Sequence, residues 1–166
     1  MFTKALQQLF SDVKWGDIDY CIVDMPPGTG DAQLSLAQMV KLSGAVVVTT
    51  PQEVAMADVR KMINMLEKVN VPVYGLVENM AGYITESGEK INIFGEGGGD
   101  LLAKKFNLPL LASIPIDLKI REGGDSGKPA GSDVEKIAKI FDTLAEKLVK
   151  LVDSREAQSD GLNVIN

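Results

Sequence analysis

The chain has 166 residues, of which 45% are hydrophobic and 24% charged, a composition typical of a soluble globular protein. Its single cysteine excludes an internal disulfide, and the absence of histidine excludes histidine-dependent catalysis and histidine-ligated metals. The net charge of −6, with neither a signal-peptide pattern nor an apolar window of about 18 residues, predicts a cytoplasmic protein that binds no nucleic acid and no membrane.

In chain order, the hydrophobic pattern predicts a helix over Phe2–Val13 and then four strands that alternate with helices. The strands lack polar alternation and are rich in Val, Ile or Leu, as is typical of parallel strands buried on both faces. They span Ile18–Asp24, Gly44–Thr50, Val71–Glu78 and Leu108–Ile114. The helices span Ala32–Leu42, Val54–Val69, Gly99–Phe106 and Ser132–Val152. This alternation predicts an α/β fold with a mostly parallel sheet flanked by helices.

Two further segments depart from the alternation. Tyr83–Phe94 reads as a small hairpin with its turn at Glu86–Lys90, where Ser87 and Gly88 supply the turn residues. Asp117–Gly131 carries four glycines and a proline and predicts a long ordered loop. We expect residues 1–153 to form one domain and residues 154–166 a polar tail.

The segment IDYCIVDMPPGTGD, residues 18–31, carries the most chemical information. A buried strand that ends in a carboxylate places Asp24 at the carboxyl edge of the sheet, where open α/β sheets bind ligands. A carboxylate at this edge commonly holds Mg²⁺ through water beside nucleotide phosphates. The alternative is a capped strand-to-helix turn with an exposed Asp24, and the spacing leaves both open.

The loop after Asp24 is the second part of this candidate site. Pro27 and its neighbouring proline stiffen the loop, while Gly28 and Gly30 expose backbone N–H groups that could follow a γ-phosphate. Asp31 is predicted either to cap the following helix or to act as a switch carboxylate.

Five motifs follow one another in the order of a known family. They read DYCIVDMPPGTGDAQLSLAQ, GAVVVTTPQEVAMADVRK, VNVPVYGLVENM, IFGEGGG and IPIDLKIREGGDSGKP. The chain resembles the Mrp/ApbC-type P-loop ATPases, the iron–sulfur cluster carrier branch of the MinD/ParA superfamily. The resemblance runs from Lys4 to about Pro129, and its most specific motifs are DMPPGTGD and TTPQEVA.

The resemblance implies an ATP-binding iron–sulfur cluster carrier that works as a homodimer with Mg²⁺ and delivers clusters to recipient proteins. Asp24 corresponds to the Walker B aspartate and Met25–Asp31 to switch II. Asn79 matches the residue that reads the adenine edge, and Pro115 matches a position in the base pocket.

One departure from the family is the absence of the phosphate-binding loop with its Lys-Ser/Thr. The glycine clusters Gly95–Gly99 and Gly123–Gly127 lack the lysine in the required place, and the first reads better as a tight turn into a helix. The chain therefore looks like the C-terminal part of a P-loop NTPase-like domain whose N-terminal strands are missing. We do not expect it to hydrolyse ATP by itself.

A second departure concerns the cluster. Cluster-binding members carry Cys-x-x-Cys in the hairpin, where this chain has Ile84–Gly88 without cysteine. Cys21 lies mid-strand in the prediction and should be buried and inert. An iron–sulfur cluster needs thiolates, typically four, so we do not expect this chain alone to bind one.

Two other functions remain open from the sequence. A MinD/ParA-like positioning ATPase would bind a membrane or DNA instead of a cluster, although no basic stripe supports DNA binding. A catalytically inactive interaction module would keep the fold without nucleotide chemistry, as the missing phosphate loop allows.

Overall fold

The structure is a computed structural model that describes residues 8–26, 28, 30–40, 42–128 and 135–161, with side chains as far as Arg155. Residues 8–11 are helical and fall within the first predicted helix. The helices that follow are α1 (Asp31–Met39), α2 (Glu53–Lys68), α3 (Gly98–Phe106), α4 (Leu118–Ser126) and α5 (Glu135–Gly161). The strands are β1 (Ala45–Thr49), β2 (Val73–Ile84), β3 (Lys90–Ile91) and β4 (Leu110–Ile116).

The sheet is mixed and mostly parallel, which confirms the predicted fold class. Strand β2 lies between β1 and β4 and runs parallel to both, so their carboxyl ends share one edge. The far end of β2 pairs antiparallel with β3, with Tyr83 opposite Ile91. This pairing confirms the predicted hairpin, although its first arm is continuous with the long β2 strand.

Hydrophobic clusters cover both faces of the sheet. Leu76 and Val77 are consecutive in β2 and therefore point to opposite faces. Leu76 belongs to a cluster with α2 and α3, and Val77 belongs to a second cluster whose partly buried members include Ile140 and Leu144 of α5. This burial on both sides explains why β1, β2 and β4 read as continuous apolar runs.

The predicted strand Ile18–Asp24 is wrong. This segment forms no strand and pairs with none of the strands in the described part of the chain, and Ile22 is 89% exposed. An apolar run becomes a parallel strand only when at least one neighbouring strand satisfies its backbone groups. The Tyr20 hydroxyl of this segment donates a 3.2 Å hydrogen bond to Asp153 in α5.

The predicted loop over Asp117–Gly131 is also wrong, because α4 occupies most of it. The Asp117 side chain caps the helix by accepting from the Lys119 N–H at 2.7 Å, and Arg121 pairs with Asp125 at 2.7 Å. Gly127, with φ of 68°, ends the helix in the left-handed region. Local capping and i,i+4 pairing therefore outweigh the glycines that favoured a loop. Residues 129–131 lie outside the described part of the chain.

The long helix α5 continues to Gly161, beyond the predicted end at Val152 and across the predicted start of the polar tail. The residues that follow Asp153 include Arg155 and other good helix formers, with no glycine or proline before Gly161. The predicted start of this helix, Ser132, lies outside the described residues. Within the described residues, no helix has the length and hydropathy needed to cross a bilayer.

Candidate functional site at the carboxyl edge of the sheet

Strand register brings together the two residues predicted to contact a base. Asn79 near the end of the parallel part of β2 lies opposite Ile114 of β4, and Pro115 is the next residue. Asn79 and Pro115 are both half-buried, so part of each residue remains accessible from the surface. Neighbouring carboxyl ends of parallel strands are where open α/β sheets bind ligands.

The carboxamide of Asn79 is held by its own backbone. Its Oδ1 accepts a hydrogen bond from the Met80 N–H at 2.9 Å, which leaves the NH₂ group as the donor of this side chain. Met80 has φ of 56°, and the register of β2 shifts between Asn79 and Tyr83. A non-glycine residue in the left-handed region is strained, and such strain is found where a side chain must be aimed.

A buried carboxylate, which the sequence analysis missed, lies immediately before Asn79. Glu78 is 5% exposed, and its Oε1 accepts a 2.8 Å hydrogen bond from the Gly99 N–H in the first turn of α3. Its neighbours across the sheet are Thr49 of β1, also buried, and Ser113 of β4. The only available signal was a charged residue at the end of an apolar strand.

The glycines at the start of α3 allow this helix to pack closely against its neighbours. Gly97, with φ of 70°, is the N-cap, as expected for a tight turn into the helix. A Cβ on Gly98 would lie 2.8 Å from the Pro51 carbonyl oxygen, and one on Gly99 would lie 2.9 Å from Cβ of Glu78. The first turn of α3 thus packs closely against the sheet edge, and the carboxylate of Glu78 accepts from one of its N–H groups.

The predicted switch segment holds Asp24 and Asp31 at the surface. Both carboxylates are exposed, and the structure places Asp24 in an irregular segment rather than at the end of a strand. The N-cap of α1 is Gly30, so the prediction that Asp31 caps this helix is wrong. Asp31 instead lies in the first turn, where its charge favours the helix dipole.

Gln33 organises the loop between these aspartates and was also missed by the sequence analysis. Its side chain is 3% exposed, and its Nε2 donates to the Pro26 carbonyl oxygen at 3.1 Å. Gly28 has φ of 95°, and Cβ atoms placed on Gly28 and Gly30 would lie 3.7 and 3.5 Å from this carboxamide. The described residues of the loop, Pro26, Gly28 and Gly30, therefore lie close to the side chain of Gln33. Pro27 lies outside the described residues.

Strand pairing places Asn79 beside Pro115. It does not position Asp24, because residues 18–24 pair with no described strand. One carboxylate suits a magnesium ion that takes its other ligands from water and phosphate. In the described residues, no group of three Cys, His, Asp or Glu side chains is placed to hold a metal ion. The thiolate set of an iron–sulfur cluster is therefore not found in this part of the chain.

Cys21 is exposed, which corrects the prediction that it is buried. The reason is that the strand expected to bury it does not form. In the hairpin, where the resemblance led us to look for a cysteine pair, the side chains are hydroxyls: Thr85 Oγ1 lies 2.8 Å from Ser87 Oγ and accepts from the Glu89 N–H at 3.0 Å. These contacts close the turn and offer no thiolate.

Comparison with known proteins identifies the family. The sequence model of the ParA group described as NUBPL iron-transfer P-loop NTPase matches residues 1–149. The chain belongs to this family. It is 50% identical over 163 residues to an iron–sulfur cluster carrier protein of Pyrococcus horikoshii, a match that covers 97% of this chain and 55% of that protein.

Two solved structures share the fold of this NUBPL-type chain. A nucleotide-binding protein of Archaeoglobus fulgidus in complex with ADP has a TM-score of 0.71 and 40% identity, over 78% of this chain and 54% of its own. The cell-division ATPase MinD of Pyrococcus furiosus has a TM-score of 0.68 and 29% identity, over 90% and 59%. The chain thus spans about half the length of the carrier proteins it matches. The identity to the Pyrococcus horikoshii carrier, 50%, is higher than the 29% identity to this MinD.

Proposed function

We propose that this chain supplies the base-binding edge and the switch segment of a nucleotide-dependent iron–sulfur cluster carrier. The observation that carries the proposal is the register that sets Asn79 beside Pro115 at the carboxyl edge of the sheet. The ADP complex of the Archaeoglobus relative supports a nucleotide as the ligand. The NH₂ group of Asn79 would donate to an acceptor nitrogen of adenine, while Pro115 would pack against the base.

Phosphate and magnesium would lie toward the switch segment. Asp24 would hold Mg²⁺ through water, and the ion would supply charge neutralisation for the phosphates. The N–H groups of Gly28 and Gly30, with Pro27 stiffening the loop, would follow the γ-phosphate, and Asp31 would serve as the switch carboxylate. Because the 166 residues contain no lysine-bearing phosphate loop, we expect little hydrolysis by this chain alone.

The cluster is cargo in this proposal. Cys21 is the only thiol in the sequence, so two copies in a homodimer offer two cysteines, fewer than the four that a [4Fe–4S] cluster typically takes. The remaining thiolates would come from recipient or donor proteins that meet the dimer in the cytoplasm. The carriers at about 50% identity are the support for this cargo.

Replacing Asn79 with aspartate tests the base contact. Asn79→Asp keeps the Oδ1 acceptor for the Met80 N–H and removes the NH₂ donor. We expect Mg·ATP to bind about fivefold to a hundredfold more weakly in isothermal titration calorimetry, since an unmatched polar group faces the base. Wild-type affinity in this variant would contradict the proposed contact.

Asn64→Asp is the matched control, because it adds the same charge to an exposed asparagine of α2. Asn64 lies eleven residues after Glu53, about 16 Å along a helix whose first turn faces the carboxyl edge. Its affinity for Mg·ATP should stay within about twofold of wild type. An equal loss in both variants would assign the effect to net charge and overturn the role of Asn79.

A further inference from the structure

The carboxylate of Glu78 is buried, although a charged side chain in a strand would ordinarily face solvent. It is 5% exposed in the middle of three parallel strands, opposite Thr49 on one side and Ser113 on the other. Burying a carboxylate is costly unless hydrogen bonds compensate it. The 2.8 Å bond from the Gly99 N–H, at the positive end of the α3 dipole, provides that compensation.

This bond joins α3 to the sheet at one point. The N-cap of α3, Gly97, makes no side-chain cap, so Glu78 supplies from another element the acceptor that the local sequence lacks. Gly99 can approach because it has no Cβ, which would lie 2.9 Å from Cβ of Glu78. The position of Glu78 along β2 is therefore fixed by a contact that tolerates little movement.

The residue that follows is the one that needs a fixed position. Directly after Glu78 come the carboxamide of Asn79 and the left-handed backbone of Met80, where the register of β2 shifts. A strained turn persists only where the surrounding structure holds it. Glu78 immediately precedes Asn79 in β2 and is held in place by its buried hydrogen bond to Gly99.

We propose that Glu78 is a positioning residue for base selectivity: by fixing β2 to the first turn of α3, it aims the donor group of Asn79 at the base. The proposal rests on the proposed function, in which Asn79 contacts adenine. It assigns to Glu78 a role in discriminating adenine from guanine nucleotides, and not only a role in stability.

The first test needs no nucleotide. In ¹⁵N-labelled protein, Glu78→Ala should make the Gly99 amide exchange at least about tenfold faster and shift the side-chain NH₂ signals of Asn79. Glu78→Gln keeps an oxygen acceptor and should leave both close to wild type. If the Asn79 signals are unchanged in Glu78→Ala, the proposal is overturned. Should Glu78→Ala fail to fold, Glu78→Asp is used in its place, because its shorter side chain moves the carboxylate acceptor back by about 1.5 Å.

The second test is the ratio of ATP to GTP affinity. We expect Glu78→Ala to lower this ratio at least about tenfold, and Glu78→Gln to keep it within about twofold.

Leu102→Ala is the structural control: Leu102 is a core residue of α3, so this variant loses packing and should keep the wild-type ratio. A wild-type ratio in Glu78→Ala would reduce Glu78 to a helix cap and overturn its proposed role. A wild-type protein without preference for ATP would instead contradict the proposed function, and the nucleotide-free test would still decide the positioning.

Discussion

Replacing Leu102 with alanine should lower the free energy of unfolding by about 2–5 kcal/mol. Leu102 is 1% exposed, and it joins α3 to the cluster that includes Val47, Leu66 and Leu76. The loss combines the transfer free energy of the removed methyl groups with a cavity that the surrounding strands cannot close. Urea denaturation followed by circular dichroism measures it.

The preceding residue is the control for this prediction. Leu101 is 63% exposed on the same helix, so Leu101→Ala changes the same atoms outside the core. We expect its effect to stay within about 0.5 kcal/mol. Equal losses in the two variants would mean that α3 does not pack against the sheet as described.

Replacing Gly98 with alanine should destabilise the protein by about 1–3 kcal/mol. The added Cβ would lie 2.8 Å from the Pro51 carbonyl oxygen and 2.9 Å from its Cα. These are backbone atoms, so the clash is relieved only by moving α3 away from the β1–α2 connection. The same displacement would lengthen the bond from Gly99 to Glu78. A lower denaturation midpoint together with faster exchange of the Gly99 amide would report both effects.

Gly124→Ala separates steric clash from helix propensity. Gly124 also lies in a helix, α4, and a Cβ there would meet nothing within 4 Å. Alanine is the better helix former by about 0.5–1 kcal/mol, so this variant should be as stable as wild type or more stable. If Gly98→Ala were equally harmless, the close approach of α3 to Pro51 would be contradicted.

The sequence predicts the sheet well where strands are buried on both faces. Val47, Leu76 and Leu111 lie in runs whose apolar character comes from helices on both sides, and all three are core residues. The segment around Ile22 has the same composition but forms no strand. Composition reports a preference for burial, whereas a strand also requires neighbours for its backbone groups, which periodicity does not reveal.

The candidate site was predictable in part. Asn79 and Pro115 were singled out by resemblance, and the parallel register explains why positions 36 residues apart become neighbours. Glu78 and Gln33 were missed because their importance lies in burial and in contacts that the sequence does not show, with the Gly99 N–H 21 residues away and the Pro26 carbonyl seven residues away. Polar residues inside apolar runs are a weak signal until the contacts are known.

The names of the relatives imply an iron–sulfur cluster as cargo, but the side chains of this chain fit that cargo only in part. The relatives are iron–sulfur cluster carriers, yet the described residues offer one exposed thiol and a hairpin closed by Thr85 and Ser87. In our proposal, therefore, this chain recognises the nucleotide and its partners supply most of the cluster's thiolates.

Chemical-shift mapping of the ¹⁵N-labelled protein with Mg·ATP tests whether the nucleotide binds at the carboxyl edge of the sheet. We predict that the largest changes occur at the amides of Asn79 and Met80 and at those of Ile116 and Asp117, which follow Pro115, with further changes from Asp24 to Asp31. The opposite edge of the sheet offers a competing location, a cavity of about 260 Å³ whose lining includes Val71, Pro72, Phe106 and Arg155. Changes centred on that cavity, with Asn79 unaffected, would contradict nucleotide binding at Asn79 and Pro115.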